Sequence, residues 1–325
     1  MLKPRLAIGL TSLLILSALA GACTTGPAQP TSIDELHGTL TVSGAWALYP
    51  LMVRWAEVFQ QEHPSVLIDV SAGGAGKGMA DALAGAADLG MVSREVYPEE
   101  QSKGALAFPV AKDAVFVTVN RANPVLQKLI ESGFSKNVLS QIYITGETTV
   151  WGQTVGMPEN DDPIHIYTRS DAAGAPAVFA EYLGYAQEDL LGVGVYGDPG
   201  LAAAVAQDPL GIGYNNLNFA FDPVSGEPIA GIEVVPLDGN GNDFIDPTEI
   251  VENKVQAVQA VASGAYPAPP ARDLYLVTHD KPAGLAHEFL LWIMTDGQQY
   301  VDEVGYIPVA NEKLNQAIDM LTEHE

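Results

Sequence analysis

Apolar runs of strand length alternate with amphipathic stretches over most of this chain. Leu40 and Val42 mark one run, and Val66, Leu67, Ile68 and Val70 a second, with the β-branched-rich composition of a buried parallel strand. Between them Leu51, Trp55, Val58 and Phe59 recur at helical spacing. Residues 79–87 predict another helix, with Met79 and Leu83 four apart on one face, and residues 89–92 are apolar again. A third unit starts where Ile164, His165, Ile166 and Tyr167 alternate. Val178, Phe179, Tyr182 and Leu183 then mark a helix face that Gly184 closes. Repeated strand–helix units predict an α/β fold on a mainly parallel sheet, with ligands at the carboxyl ends of the strands.

The three strand-to-helix loops, 43–50, 71–78 and 168–175, are rich in small residues, and the second holds four glycines. Glycine lets backbone turn tightly and approach a partner. A helix start offers unpaired N–H groups and a positive dipole end, which suits an anion. A tight β–α turn with no ligand is the competing reading.

Residues 106–119 are long enough for two strands or for one strand crossing between domains. A helix is predicted over 125–130, and strands over 211–214 and 274–277. Leu285, Phe289, Trp292 and Ile293 predict a helix ending near Gly297; Val301 and Val304 a short one stopped by Gly305; Leu314, Ala317, Ile318 and Leu321 a last amphipathic one. His165 has no partner histidine at ligand spacing, so no metal role is expected for it.

At 325 residues, 47% hydrophobic and 17% charged, the chain has room for a sizeable core in two domains or one large one. Forty acids against 15 bases give a net charge of −25, which excludes nucleic acid and anionic membrane surfaces as partners. The same field opposes an anionic ligand at long range, but salt screens it within about 8–10 Å, so a local positive site can still prevail.

The amino terminus accounts for the single cysteine. Lys3 and Arg5 precede an apolar run from 6 to 20, and small residues lead to Cys23, the pattern of an export signal. The segment resembles a bacterial lipoprotein lipobox, with Ala20 where leucine is preferred, so Cys23 is expected to be lipidated. A plain membrane anchor, or a free thiol beside an ordinary cleavage site, is the alternative. Cleavage would delete Lys3 and Arg5 and take the net charge from −25 to −27. Residues 24–37 read as a flexible tether. One thiol makes no internal disulfide.

With these units in place the chain resembles the substrate-binding lipoproteins of the phosphate ABC importer family. The likeness runs over residues 40–314 and is strongest near the carboxyl end: Arg272 through Val277, Lys281 through Phe289, Gly297-Gln298 and Val304 through Pro308. Gly211 through Tyr214, Trp151 and Asn123-Pro124 add to it. The resemblance implies a two-lobed type II periplasmic-binding-protein fold with the ligand in a cleft between lobes. It divides the chain into a signal peptide (1–22), a lipidated cysteine and tether (23–37), lobe 1 (38–111 and 272–325) and lobe 2 (112–271). It also implies a non-enzymatic receptor, outside the cytoplasm and lipid-anchored to the bacterial cell membrane. Such a receptor is expected to be a monomer that binds phosphate or a related oxyanion by hinge closure and docks on a membrane permease.

By the same resemblance the ligand-binding residues are Ala47 and Leu48 in the first loop, Ala75, Gly76 and Lys77 with Ser93 and Arg94 in the second, and Arg169, Ala173, Gly174 and Ala175 in the third. This chain departs from the family by carrying alanine or leucine where phosphate binders carry hydroxyls. A hydrogen bond to a charged group contributes roughly 1.5–3 kcal/mol, so several such losses weaken phosphate binding. A different anion with an apolar part is therefore the alternative ligand. A hydrolase or a calcium-stabilised adhesion lipoprotein ranks lower, since alanine stands where a nucleophilic Ser or Cys is wanted.

Residues 238–249 match a twelve-residue calcium loop inserted in lobe 2. Asp238, Asn240, Asn242 and Asp246 supply oxygens at positions 1, 3, 5 and 9, the Phe244 carbonyl at 7, and Glu249 at 12. Position 6 carries Asp243 in place of glycine. A structural Ca²⁺ is expected there, an acidic hairpin turn being the alternative; no other cofactor is expected.

Overall fold

A computed structural model describes residues 36–242 and 244–322. The expected signal peptide, Cys23 and most of the tether lie outside these residues, as does Asp243. The strands are β1 (Gly38–Gly44), β2 (Val66–Ala72), β3 (Leu89–Val92), β4 (Ala105–Asn120), β5 (Phe134–Ser135), β6 (His165–Arg169), β7 (Val193–Val195), β8 (Gly211–Asn216), β9 (Ile232–Val234), β10 (Leu237–Asp238) and β11 (Ala271–His279). One sheet path runs β2-β1-β3-β11-β4-β8-β6-β7, with β9 also on β4, and β5 pairs with β10 in a separate ribbon.

The first unit forms as its pattern predicts; in the second the helix begins four residues earlier than expected, at Ala75, and ends at Leu83, so only Gly73 and Gly74 separate it from β2. β1 pairs with β2 and β3 in parallel, so Gly44 and Ala72 finish side by side. The helix α1 (Tyr49–Glu62) carries Pro50 in its first turn, where a missing N–H costs nothing, and buries Leu51, Trp55, Val58 and Phe59. Trp55 donates its indole N–H to the Gly297 carbonyl at 2.7 Å. The helix α2 (Ala75–Leu83) follows β2, and the helix Gly174–Leu183 follows β6.

β4 settles the ambiguous run at 106–119: it is one 16-residue strand. Residues 105–114 pair with β11, and residues 115–119 pair with β8. In the second half, Val115 through Val119 are all at most 1% exposed, as a strand covered on both faces requires. Two hydrophobic cores flank this crossover. One draws on residues between Leu40 and Ala111 and between Leu274 and Leu321. The other draws on residues between Ala114 and Ala271. Ile307, in the carboxyl-terminal segment that the sequence groups with lobe 1, packs into the second core, because the segment bridges to Lys112 on the crossover strand.

The helix Gly197–Gln207 between β7 and β8 has no counterpart in the apolar pattern. Its alanines blur the periodicity, and only Leu201, Ala202 and Val205 mark its apolar side. Among the described residues no helix is long and apolar enough to cross a membrane.

Candidate functional site

The three small-residue loops meet where the two lobes face each other. Gly73 and Gly74 donate to the Gly44 carbonyl at 2.8 and 3.0 Å, which locks the second loop onto the first within lobe 1. The third loop then comes directly against the second. Gly76 N–H donates to the Ala172 carbonyl at 3.0 Å. Gly74 has φ of +91°, and a side chain there would lie 2.7 Å from the same carbonyl. Trp46 spans the junction from the first loop. Its ring lies 6.2 Å from Tyr49 on its own lobe and 6.4 Å from Tyr196 on the other.

The nominated residues divide into groups. Ala47, Leu48 and Ala75 are at most 2% exposed within the first core, and Ala175 is 1% exposed within the second. Their side chains therefore extend the lobe cores under the helix starts. Gly76, Arg94 and Ala173 line a cavity of about 450 Å³ between the lobes, together with Tyr97, Tyr185 and the carboxylates of Glu95, Glu181 and Glu188. Ser93 and Gly174 face each other across the junction, so close that a Cβ on Gly174 would stand 2.1 Å from the Ser93 hydroxyl.

All three nominated cations are engaged by carboxylates of their own lobe. Lys77 pairs with Asp81, one helical turn on, and Ser43 also donates to that carboxylate at 2.6 Å. Burial alone would raise the Asp81 carboxyl, but these bonds hold it below its usual value. Arg94 forms a fork with both Glu100 oxygens at 2.9 and 2.7 Å and lies 4.1 Å over the Tyr97 ring. Arg169 is buried completely. Its Nε and Nη2 donate to Asp171 at 2.7 and 2.5 Å, and its Nη1 donates to Asp198 at 2.7 Å. Burial works against the guanidinium charge, but the two carboxylates outweigh it and raise the Arg169 pKa.

Beneath Arg169 the polar chain continues to the crossover. Asn216 donates to Asp198 at 2.6 Å and accepts from Arg272. Arg272 also donates to the Ser93 carbonyl at 3.2 Å and faces Asp113 on β4 at 3.3 Å. Burial pushes the Asp113 carboxyl up to about 6, against the pull of Arg272. Burial likewise raises Asp198. Removing one partner of such a buried pair costs roughly 3–5 kcal/mol, because it strands the other charge.

Sequence reasoning missed this second layer. Asp171 stood two residues after Arg169 inside a loop already singled out. Asp198 lies in Gly-Asp-Pro-Gly before an alanine-rich run, a helix-start signal with no hint of a partner 29 residues away. Arg272 stands in the carboxyl-terminal run that carries the family resemblance, with no local sign of a role at the junction. His165, expected to be no metal ligand, faces Asp208 at 2.7 Å.

The loop at 238–249 folds around its own carboxylates. Asp238 accepts from Gly241 and Asn242 N–H groups at 2.7 and 3.1 Å. Glu249 accepts from Gly239, Asn240 and Asp246 at 2.8, 3.3 and 2.9 Å. The amides of Asn240 and Asn242 donate to Asp246 at 2.8 and 3.1 Å. Asp238 and Glu249 are buried, the Phe244 side chain is exposed, and Ile245 packs on Gly133 beside β5. Among the described residues no group of three or more His, Cys, Asp or Glu side chains is arranged to hold a metal ion.

Two α/β lobes joined by a crossover strand, with small-residue loops converging between them, define a two-lobed binding protein. The family model for the PBP superfamily domain matches residues 25–297, and the chain belongs to that superfamily. It is similar to a protein named phosphate-binding protein PstS from Bacillus subtilis, at 28% identity over 86% of this chain and 84% of that protein. A phosphate-binding protein PstS from Methanocaldococcus jannaschii is 26% identical over 90% of this chain and 88% of its own length. Among solved structures, a proposed phosphate ABC transporter substrate-binding protein from Clostridium perfringens, with bound phosphate, superposes with a TM-score of 0.69. It is 23% identical, and the match covers 84% of this chain and all of that one, a likeness that establishes the fold.

Proposed function

We propose that this chain is the extracytoplasmic solute receptor of an ABC importer and that it takes phosphate or a related oxyanion by closing its lobes. The observation that carries this is the meeting, at one interlobe junction, of three small-residue loops that lead into helices, two from one lobe and one from the other, with Arg169 held on Asp171 of the third. The names of its relatives point the same way. A receptor fits better than an enzyme, because the converging loops carry alanine where a nucleophile is wanted. A second reading, an anion with an apolar part, is favoured by the alanines and tyrosines of the cavity lining, although Glu95, Glu181 and Glu188 share that lining and oppose negative charge.

Trp46 makes contacts in both lobes, so its fluorescence should report closure. The test is a fluorescence titration of the chain lacking residues 1–22 with phosphate, sulfate, molybdate and organic phosphates. A saturable change with phosphate is expected. Saturation only by an organic anion would favour the second reading, and no response to any anion at millimolar level would overturn both.

The loop at 238–249 supports a separate proposal of a structural Ca²⁺, on the strength of its twelve-residue donor spacing. Its internal bonds would then yield to a shared cation. Chelator should lower the melting temperature; equal melting with and without chelator would remove the metal.

A further inference from the structure

We infer that Asp198 is a positioning residue that limits the positive charge the cleft offers to an anion, acting through Arg169. The inference rests on the receptor reading above. A guanidinium carries one positive charge, and Asp171 alone balances it while engaging both its Nε and its Nη2. Asp198 takes the remaining nitrogen, Nη1, at 2.7 Å, with side-chain exposures of 0% for Arg169 and 2% for Asp198. No nitrogen of Arg169 is then left without a carboxylate, and the buried group of three carries a net negative charge. The second oxygen of Asp198 accepts from Asn216, which is held in turn by Arg272, so the carboxylate is fixed in place from the crossover side.

Arg272 is the nearest further cation, but it faces Asp113 on the crossover strand, so the two buried arginines still meet three carboxylates, Asp171, Asp198 and Asp113. Arg94 is forked onto Glu100, and Lys77 is paired with Asp81. An incoming oxyanion must compete with Asp198 for Nη1 or bind to a neutralised arginine. The penalty grows with the ligand's charge, since Coulomb repulsion from a fixed carboxylate scales with it. The ligand class that fits is an oxyanion carrying a single charge, and dianions are disfavoured.

Replacing Asp198 with asparagine removes the charge and keeps the shape and an acceptor for Arg169. Asp198→Asn is expected to bind phosphate at least about tenfold more tightly than the wild type at pH 7.5, a change of about 1.4 kcal/mol. The gain for sulfate, which stays dianionic, should be at least as large. A merely structural role for Asp198 does not raise affinity. Where asparagine's amide meets that of Asn216 and the variant fails to fold, Asp198→Ser leaves room for water and tests the same charge. Phosphate binding by the wild type with no gain in either folded variant overturns the assignment and leaves the receptor reading standing. No binding of either anion by wild type or variants overturns both.

Discussion

Gly174 packs against Ser93 of the other lobe, and its lack of a side chain is a geometric requirement. A Cβ there would meet the Ser93 hydroxyl at 2.1 Å and the Ser93 carbonyl at 2.2 Å. Only separation of the lobes relieves such a clash, since Ser93 is itself held by Arg272 through its carbonyl. Gly174→Ala should therefore enlarge the radius of gyration in solution scattering and weaken any oxyanion binding about tenfold or more, in the range of roughly 1–3 kcal/mol for overpacking. An unchanged radius and affinity would show that the lobes do not meet there in solution. At this scale the sequence exposed the glycine and Arg169 but not what they touch. Ser93, Asp198 and Arg272 are distant in sequence, and no local pattern ties them to the third loop.

Among the elements, β4 matters most, because both cores are built against it. Its register sets Asp113 directly opposite Arg272 on β11. Burial raises the Asp113 carboxyl from 3.8 to about 6. Below pH ~4 the carboxyl is protonated whether the chain is folded or not. Between ~4 and ~6 the folded chain holds a proton that the unfolded chain has lost, so stability falls as pH rises through this window. The shift of about two units corresponds to a loss on the order of 2–3 kcal/mol by pH 7. Asp113→Asn should melt with a flatter pH profile over this window, apart from a constant offset from the lost Arg272 pairing. Parallel profiles for wild type and variant would refute the burial argument. The strand's continuity was half legible: the apolar run gave its extent, but one strand and two short ones carry the same alternation. The helix Gly197–Gln207 went unread because alanine suits either face of a helix and leaves no stripe.

For the molecule as a whole, periodicity determined the strand–helix units, the small-residue loops between them and the α/β class, because a segment must bury one face whichever partner supplies the other side. The acidic composition likewise carries the expectation that nucleic acid and anionic membrane are repelled. Tertiary structure decided the long-range charge meetings, Arg169 with Asp198 and Arg272 with Asp113, while Lys77, Arg94 and Arg169 also met carboxylates close by in sequence. The sequence offered Lys77, Arg94 and Arg169 as cations for an anion. The fold gave each a carboxylate first: Asp81 a helical turn away, Glu100 across a short turn, and Asp198 from a helix that the pattern did not announce. Side-chain charge is written in the sequence, but the field at a cleft is a sum over neighbours, and chain crossings bring in some of them from far away, as Arg272 reaches Ser93 179 positions off. The stretch from Gly73 to Gly78 is thus legible as a turn and a helix start, although the helix takes in all but Gly73 and Gly74. Its packing against Ala172 of the other lobe became visible only once β4 had carried the chain across.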